Sequence, residues 1–189
     1  MVVKWLPNLL TGIRLALIPT FLYVLTQVPP PAPDIGAMPA ERVGAALLLL
    51  VIGITDFADG LAARRFDAVT RLGSVADVVA DRLALLLPLF YFALAQPAAF
   101  PPVPLLVPLW LLGLDVLAGG AWLLAWTMRG VPVPREHGDA GRVATNVFFA
   151  LLAWIVLGLP PLGVTALAAA GLGLSTVSVG LYIRSWWTR

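Results

Sequence analysis

Six apolar stretches, each close to the length of a membrane-spanning helix, constrain this chain more than any other feature. A helix needs about 20 mainly apolar residues to cross a bilayer. The stretches cover residues 9–28, 42–63, 74–96, 103–128, 143–159 and 162–184. Charged residues make up 12% of the 189 residues, against about a quarter in soluble domains. The sequence therefore predicts an all-α, polytopic membrane protein with six transmembrane helices, forming one integral-membrane domain over residues 1–189.

The basic residues are distributed unevenly between the two sides of such a membrane domain. Arginines cluster between the second and third stretches and around the link between the fourth and fifth, whereas the opposite links contain only Arg42. Because cytoplasmic loops carry an excess of lysine and arginine, both chain termini and the two basic links are predicted to face the cytoplasm. The net charge of +2 gives no indication of nucleic-acid binding, and none is expected.

Four aspartates interrupt the apolar pattern of the second and third helices. Asp56 and Asp59 are three residues apart, and Asp77 and Asp81 are four apart, so each pair lies on one helical face. If the two helices are antiparallel, Asp56 is level with Asp81, roughly 12 Å along its helix from the link at 1.5 Å per residue. Asp59 is then level with Asp77. The spacing thus predicts that four carboxylates converge just below the cytoplasmic surface.

Such convergence requires counter-charge, since each acid near a membrane centre costs about 2.5–3.5 kcal/mol. Hard oxygen ligands select Mg²⁺, Mn²⁺ or Ca²⁺, and two divalent ions are a known clamp for a transferring phosphoryl group. Gly60, Ala63 and Gly73 leave room for a ligand near the backbone, and Arg64 can neutralise a phosphate. A cation or proton pathway is an alternative use of the acids, and a structural scaffold leaves them unexplained.

The segment resembles the signature of the CDP-alcohol phosphatidyltransferases, D-x2-D-G-x2-A-R-x8-G-x3-D-x3-D. All eight fixed positions and all spacings match, at Asp56, Asp59, Gly60, Ala63, Arg64, Gly73, Asp77 and Asp81. The resemblance implies an enzyme that moves a phosphatidyl group from CDP-diacylglycerol to a polar alcohol and releases CMP. It implies two Mg²⁺ or Mn²⁺ ions, a homodimer, membrane lipids as partners, and a bacterial cytoplasmic membrane with the active site facing the cytoplasm.

Residue roles follow from the same resemblance. Asp81 is the catalytic base, and it is also counted with the other three aspartates among the metal ligands. The implied metal ligands are Asp56, Asp59, Asp77 and Asp81. The residues implied to bind the CDP group are Asp59, Gly60, Ala63, Arg64 and Gly73.

The acceptor alcohol is predicted from two further segments. Residues 7–19, P-N-L-L-T-G-I-R-L-A-L-I-P, look like the first helix of bacterial phosphatidylglycerophosphate synthases and of the related cardiolipin synthases. Residues 141–146, G-R-V-A-T-N, resemble their G-K-x-x-T-x. The acceptor is therefore first glycerol 3-phosphate, second phosphatidylglycerol (giving cardiolipin), and third inositol phosphate or another polar alcohol. The candidate acceptor-pocket residues are Asn8, Thr11, Arg14, Arg142 and Thr145.

Two polar residues stand apart from these assignments. Asp115 lies inside the fourth helix without the arginine that usually precedes it in those subfamilies. It is expected to pair with Arg82, to pair with Arg142, or to line a polar cavity. This difference leaves the acceptor less defined than the phosphatidyl transfer. His137, the one histidine of the chain, lies in a polar link and is interpreted as a solvated loop residue.

Overall fold

Six α-helices follow one another along the chain, as the apolar stretches predict. The structure is a computed structural model, and it describes residues 6–30, 38–66, 71–129 and 139–187. Within these ranges every regular element is a helix, which confirms the predicted all-α class and the count of six. The helices are α1 (Leu6–Gln27), α2 (Ala40–Phe66), α3 (Arg71–Ala95), α4 (Leu106–Arg129), α5 (Asp139–Val156) and α6 (Pro161–Trp187).

Three of the helices are long and apolar enough to cross a membrane by length and composition alone. In the described part of the chain these spans are Val78–Ala95 in α3, Leu106–Met128 in α4 and Pro161–Ser185 in α6. Gly141–Val156 of α5 is a shorter apolar helix. The middle of α2, residues 43–55, is also apolar, and the charged residues of this helix lie toward its two ends.

The hydrophobic core is formed mainly by α1, α2, α3 and α5. Helix α1 packs against α2 and α3, and α5 packs against α6 and contacts α2 and α3. The core side chains recur every three or four residues, as one buried face of a helix requires. They include Ile18, Phe21, Leu25, Ala45, Leu49, Ile52, Leu85, Leu89, Phe92, Phe148, Leu152 and Ile155. In α2 and α3 the core residues lie beyond the motif acids, on the side away from residues 67–70, which join the two helices in sequence.

Arg42 defines the opposite end of the bundle, called here the distal end. Its side chain is buried, it donates hydrogen bonds to the carbonyl oxygens of Ala99 and Val156, and its guanidinium lies 5.1 Å from the centre of the Phe100 ring. Helix α2 therefore begins where α3 has ended and where α5 ends. Just beyond α5, Gly158 adopts a φ of +69°, the left-handed conformation that commonly follows a helix end.

Candidate active site

The four aspartates lie on two unbroken helices that are joined by the short 67–70 link. Asp56 is ten residues before the end of α2, and Asp81 is ten residues after the start of α3. At 1.5 Å per residue, each acid is about 15 Å along its helix from the link. Asp59 and Asp77 lie about one turn nearer the link. Asp56 and Asp81 therefore lie at equal distances along their helices from the link, and Asp59 and Asp77 at nearly equal distances, as their spacing predicts.

Most of the predicted metal and nucleotide residues have a described helix position but no described side chain. The side chains of residues 56–66 and 71–75, and that of Asp77, lie outside the part of the chain that the structure describes. The residues concerned are Asp56, Asp59, Gly60, Ala63, Arg64, Gly73 and Asp77. The convergence of their side chains on one volume stays a prediction, and so do their roles.

Asp81 is the one acid of the motif with a described side chain, and it is paired with Arg14. Nη1 of Arg14, on α1, donates a hydrogen bond to Oδ1 of Asp81. The Arg14 side chain is only 1% exposed, whereas the Asp81 side chain is 37% exposed. The pair therefore fixes the carboxylate from its buried side and leaves it accessible from the other. The structure thus places the predicted base in contact with a residue predicted to line the acceptor pocket.

The other candidate acceptor residues divide between α1 and α5. Thr11 is buried one turn before Arg14 on α1, and Asn8 lies in the first turn of the same helix with its side chain outside the described residues. Arg142 is exposed on α5, and Thr145 is half-buried, with its Oγ1 donating to a carbonyl one turn earlier at 3.1 Å. Thr11 and Arg14 therefore lie on the Asp81 side of α1, while an acceptor role for all five residues stays a prediction.

Asp115 forms an ion pair with Arg82. The Arg82 Nη2 and Asp115 Oδ1 atoms are 3.1 Å apart, and both side chains are partly exposed. Arg82 follows Asp81 directly on α3, and Asp115 lies on α4. The structure thus shows one of the arrangements that the sequence offers for Asp115, the pair with Arg82.

A largely apolar groove lies between α2 and α5 and leads toward the aspartates. Its volume is about 670 Å³, and its α2 wall extends to Ile54, two residues before Asp56. Its α5 wall extends from Asn146, a polar residue, to Leu157 near the distal end. An extended hydrocarbon chain fits a groove of this composition better than a polar ligand does.

The donor set of the motif fits a hard divalent cation. Carboxylate oxygens are the ligands that Mg²⁺ and Mn²⁺ prefer, and α2 and α3 are continuous through all four acids. Asp81 remains accessible despite its bond to Arg14. The side chains that the structure describes form no cluster of three or more potential ligands, but three of the four acids are outside that set.

Sequence analysis did not predict the contact between Arg14 and Asp81. The two residues are 67 positions apart, and local spacing carries no information about such a pair. A signal was nevertheless present, because an arginine inside an apolar helix nearly always pairs with another polar group. The sequence contains few acids that can serve as that partner.

One family model and several known proteins are similar to this chain. A family model described as CDP-alcohol phosphatidyltransferase matches residues 4–181. A protein named putative cardiolipin synthase from Mycobacterium tuberculosis is 32% identical over 95% of this chain and 77% of its own length. A protein named cardiolipin synthase (CMP-forming) from Streptomyces coelicolor is 34% identical over 70% of this chain and 53% of its own. The Bacillus subtilis protein named CDP-diacylglycerol–glycerol-3-phosphate 3-phosphatidyltransferase is 34% identical over 41% and 42%.

Proposed function

Because the chain belongs to the CDP-alcohol phosphatidyltransferase family, we propose that it transfers a phosphatidyl group from CDP-diacylglycerol to a glycerol-bearing acceptor and releases CMP. The observation that carries this proposal is the family match over residues 4–181, which spans both aspartate-bearing helices. Membership of a transferase family supports the enzyme prediction over a cation or proton pathway. The apolar groove between α2 and α5 supports a lipid substrate, since it offers a path for an acyl chain beside the motif.

In the proposed reaction the acceptor hydroxyl attacks the phosphorus on the lipid side of the pyrophosphate. A new phosphorus–oxygen bond forms, the bond from that phosphorus to the bridging oxygen breaks, and CMP leaves with that oxygen. Asp81 accepts the proton of the hydroxyl. Its partial exposure supports this role, because a general base must come within hydrogen-bond reach of the proton that it removes.

The other residues of the motif would hold the divalent ions and the nucleotide. Asp56, Asp59 and Asp77, with Asp81, would hold two divalent ions, Mg²⁺ or Mn²⁺. When bound, such ions stabilise negative charge on the pyrophosphate and on the leaving group. Asp59, Gly60, Ala63, Arg64 and Gly73 would line the CDP group, with Arg64 placing its guanidinium against a phosphate.

We propose phosphatidylglycerol as the first acceptor to test and glycerol 3-phosphate as the second. The relatives that match 95% and 70% of this chain are both named cardiolipin synthases. The order of the acceptors is thus the reverse of the order that residues 7–19 and 141–146 predict. Glycerol 3-phosphate stays a candidate because phosphatidylglycerophosphate-forming relatives match about two fifths of the chain at similar identity.

The test uses the purified full chain in lipid nanodiscs with CDP-diacylglycerol, Mg²⁺ or Mn²⁺, and one acceptor at a time. Released CMP is measured by chromatography and the lipid product by mass spectrometry. We expect CMP release with phosphatidylglycerol, accompanied by cardiolipin. CMP release with glycerol 3-phosphate alone would move the proposal to the second acceptor. If none of phosphatidylglycerol, glycerol 3-phosphate and inositol phosphate yields CMP, the proposed function is wrong.

The orientation of the chain in the membrane and its oligomeric state are also part of the proposed function. We place both termini and the 67–70 link on the cytoplasmic side of a bacterial cytoplasmic membrane, where CDP-diacylglycerol and divalent ions meet. The clustering of arginines supports this orientation. A homodimer stays a prediction drawn from the family resemblance.

A further inference from the structure

Two consecutive residues of α3 are each bound to a neighbouring helix by an ion pair. Asp81 accepts a hydrogen bond from Arg14 on α1, and Arg82 lies 3.1 Å from Asp115 on α4. Adjacent residues on a helix point about 100° apart, since a turn contains 3.6 residues. The two pairs therefore connect two different sides of α3 to α1 and α4, at the same level along the axis of α3.

The two members of the Arg14–Asp81 pair differ in burial in a way that suits an anchor and an accessible group. The Arg14 side chain is 1% exposed and that of Asp81 37%, so the cation is fixed within the bundle while the carboxylate reaches its surface. A buried guanidinium in an apolar helix is costly to separate from its carboxylate. Rotation of α3 would stretch this contact on one side and the Arg82–Asp115 contact on the other.

We propose that Arg14 and Asp115 are positioning residues of the transferase, which together fix the rotation of α3 and hence the direction of the Asp81 carboxylate. Arg14 acts on Asp81 directly, and Asp115 acts through Arg82. The inference rests on the proposed function of Asp81 as the base. It gives Arg14 a role different from the acceptor cradle that its sequence position suggests, and it gives Asp115 a role that sequence analysis did not assign.

The two possible roles of Arg14 have different kinetic signatures. A residue that binds the acceptor in the ground state raises the acceptor KM when it is removed, with kcat unchanged. A residue that directs the base lowers kcat and leaves both KM values nearly unchanged. A misplacement of about 1 Å at a reacting group costs about 10²-fold in rate.

The kinetic experiment compares Arg14→Gln, Asp115→Asn, Arg82→Gln and the Arg82→Gln/Asp115→Asn double variant with the unmodified full chain. We expect kcat to fall about 10²-fold in Arg14→Gln, with the KM for acceptor and donor within about threefold. Asp115→Asn should also lower kcat, and adding Arg82→Gln should change it little further. Arg42→Lys, which alters a buried arginine at the distal end, is the matched control and should keep kcat.

Two results would overturn the inference. One is an unchanged kcat in Arg14→Gln, and a tenfold rise in acceptor KM beside it would assign Arg14 to acceptor binding. The other is that the effects of Arg82→Gln and Asp115→Asn on kcat multiply. If Arg14→Gln does not accumulate, Arg14→Lys replaces it, because lysine keeps the charge but lacks the planar fork. The same split between kcat and KM is then expected in weaker form.

A second measurement separates this inference from the proposed function. Thermal unfolding of Arg14→Gln, Asp81→Asn and the double variant is recorded in nanodiscs without substrate. We expect the shifts in unfolding midpoint to be strongly non-additive, as they are for two residues in contact. Additive shifts would refute the pairing even if the enzyme is active. Absence of CMP from the unmodified chain, together with non-additive shifts, would refute the proposed function and with it the positioning role, whereas the Arg14–Asp81 pairing would stand.

Discussion

Arg14 and Arg42 show how single charged residues are accommodated in this mainly apolar chain. A charge near the centre of a membrane helix costs about 2.5–3.5 kcal/mol unless it is paired. Arg14 meets a carboxylate, Asp81, whereas Arg42 is satisfied by two backbone carbonyls and an aromatic ring. The contact of Arg14 connects α1 to the candidate site, whereas the contacts of Arg42 connect α2 to the chain beyond α3 and to the end of α5.

The role of Asp81 can be tested by removing its charge while keeping its shape. We expect Asp81→Asn to lower the rate of CMP release by about 10²–10⁴-fold, because an amide cannot accept the acceptor proton as a carboxylate does. Mn²⁺ binding, followed by electron paramagnetic resonance, should be largely retained through the other three acids. Asp77→Asn is the comparison, and it should weaken both Mn²⁺ binding and CMP release. Full activity of Asp81→Asn would reject the base assignment.

Gly158 is the residue at which backbone conformation and a close contact act together. Its φ is +69°, and a Cβ added there would overlap Nη1 of Arg42. Gly158→Ala should therefore lower the free energy of unfolding by about 1–3 kcal/mol, through left-handed strain and displacement of the guanidinium. The thermal unfolding midpoint measures this effect, and kcat of the folded fraction should be unchanged.

Gly173→Ala is the matched control for Gly158. A Cβ at Gly173 meets nothing within 4 Å, and the residue lies within α6. Its substitution should change stability by less than about 1 kcal/mol. Equal midpoints for the two alanine variants would contradict the expected cost of the left-handed strain and of the Arg42 displacement at Gly158.

At the scale of elements, the apolar stretches predict each helix to within a few residues but miss their polar ends. Residues 42–63 were expected for the second helix, and α2 covers 40–66, because helical hydrogen bonding continues into the charged turn that hydropathy excludes. The fifth stretch, 143–159, extends beyond the end of α5 at Val156. The reason is Gly158, whose positive φ ends the helix while the sequence remains apolar.

The contacts between elements were beyond the reach of sequence analysis, although the motif was not. Eight positions within 26 residues fix the candidate site because their spacing is local to two helices. Arg42 instead bonds to carbonyls 57 and 114 residues away, and backbone carbonyls carry no residue identity that a pattern can detect. For Asp115 the sequence leaves three possibilities open, a pair with Arg82, a pair with Arg142 and the lining of a polar cavity, because local spacing does not specify which helices are neighbours.

The packing of α5 against α6 depends on a glycine and a phenylalanine. A Cβ at Gly171 would lie 2.7 Å from the ring of Phe148, which is fully buried. We expect Gly171→Ala to lower the free energy of unfolding by about 1–3 kcal/mol through overpacking. Phe148→Leu should partly restore stability in the Gly171→Ala background, because the smaller side chain leaves room for the methyl group. Thermal unfolding midpoints of the full chain provide the measurement.

The control for this interface is Gly180→Ala, also on α6, where an added Cβ meets nothing within 4 Å. It should leave the unfolding midpoint nearly unchanged. Additive effects of Gly171→Ala and Phe148→Leu would contradict the proposed contact, since residues that touch couple in a double-mutant cycle.

At the scale of the whole molecule, the motif acids and most of the buried apolar core lie toward opposite ends of α2 and α3. The buried core of α1, α2, α3 and α5 lies toward the distal end, and the motif acids lie toward the 67–70 link. This division suits the proposed enzyme, which would take lipids from the membrane and a nucleotide from water.

Because the chain contains no cysteine, a single introduced thiol reports on which side of the membrane its position lies. Ala98→Cys puts the thiol at an exposed position of the link between α3 and α4, and His137→Cys puts it in the polar link between α4 and α5. In intact cells a membrane-impermeant maleimide should label Ala98→Cys, and it should label His137→Cys only after permeabilisation, because arginine-rich links stay in the cytoplasm. The reverse pattern would place the aspartates on the outer surface, away from cytoplasmic CDP-linked substrates, and labelling of both in intact cells would contradict a fixed orientation.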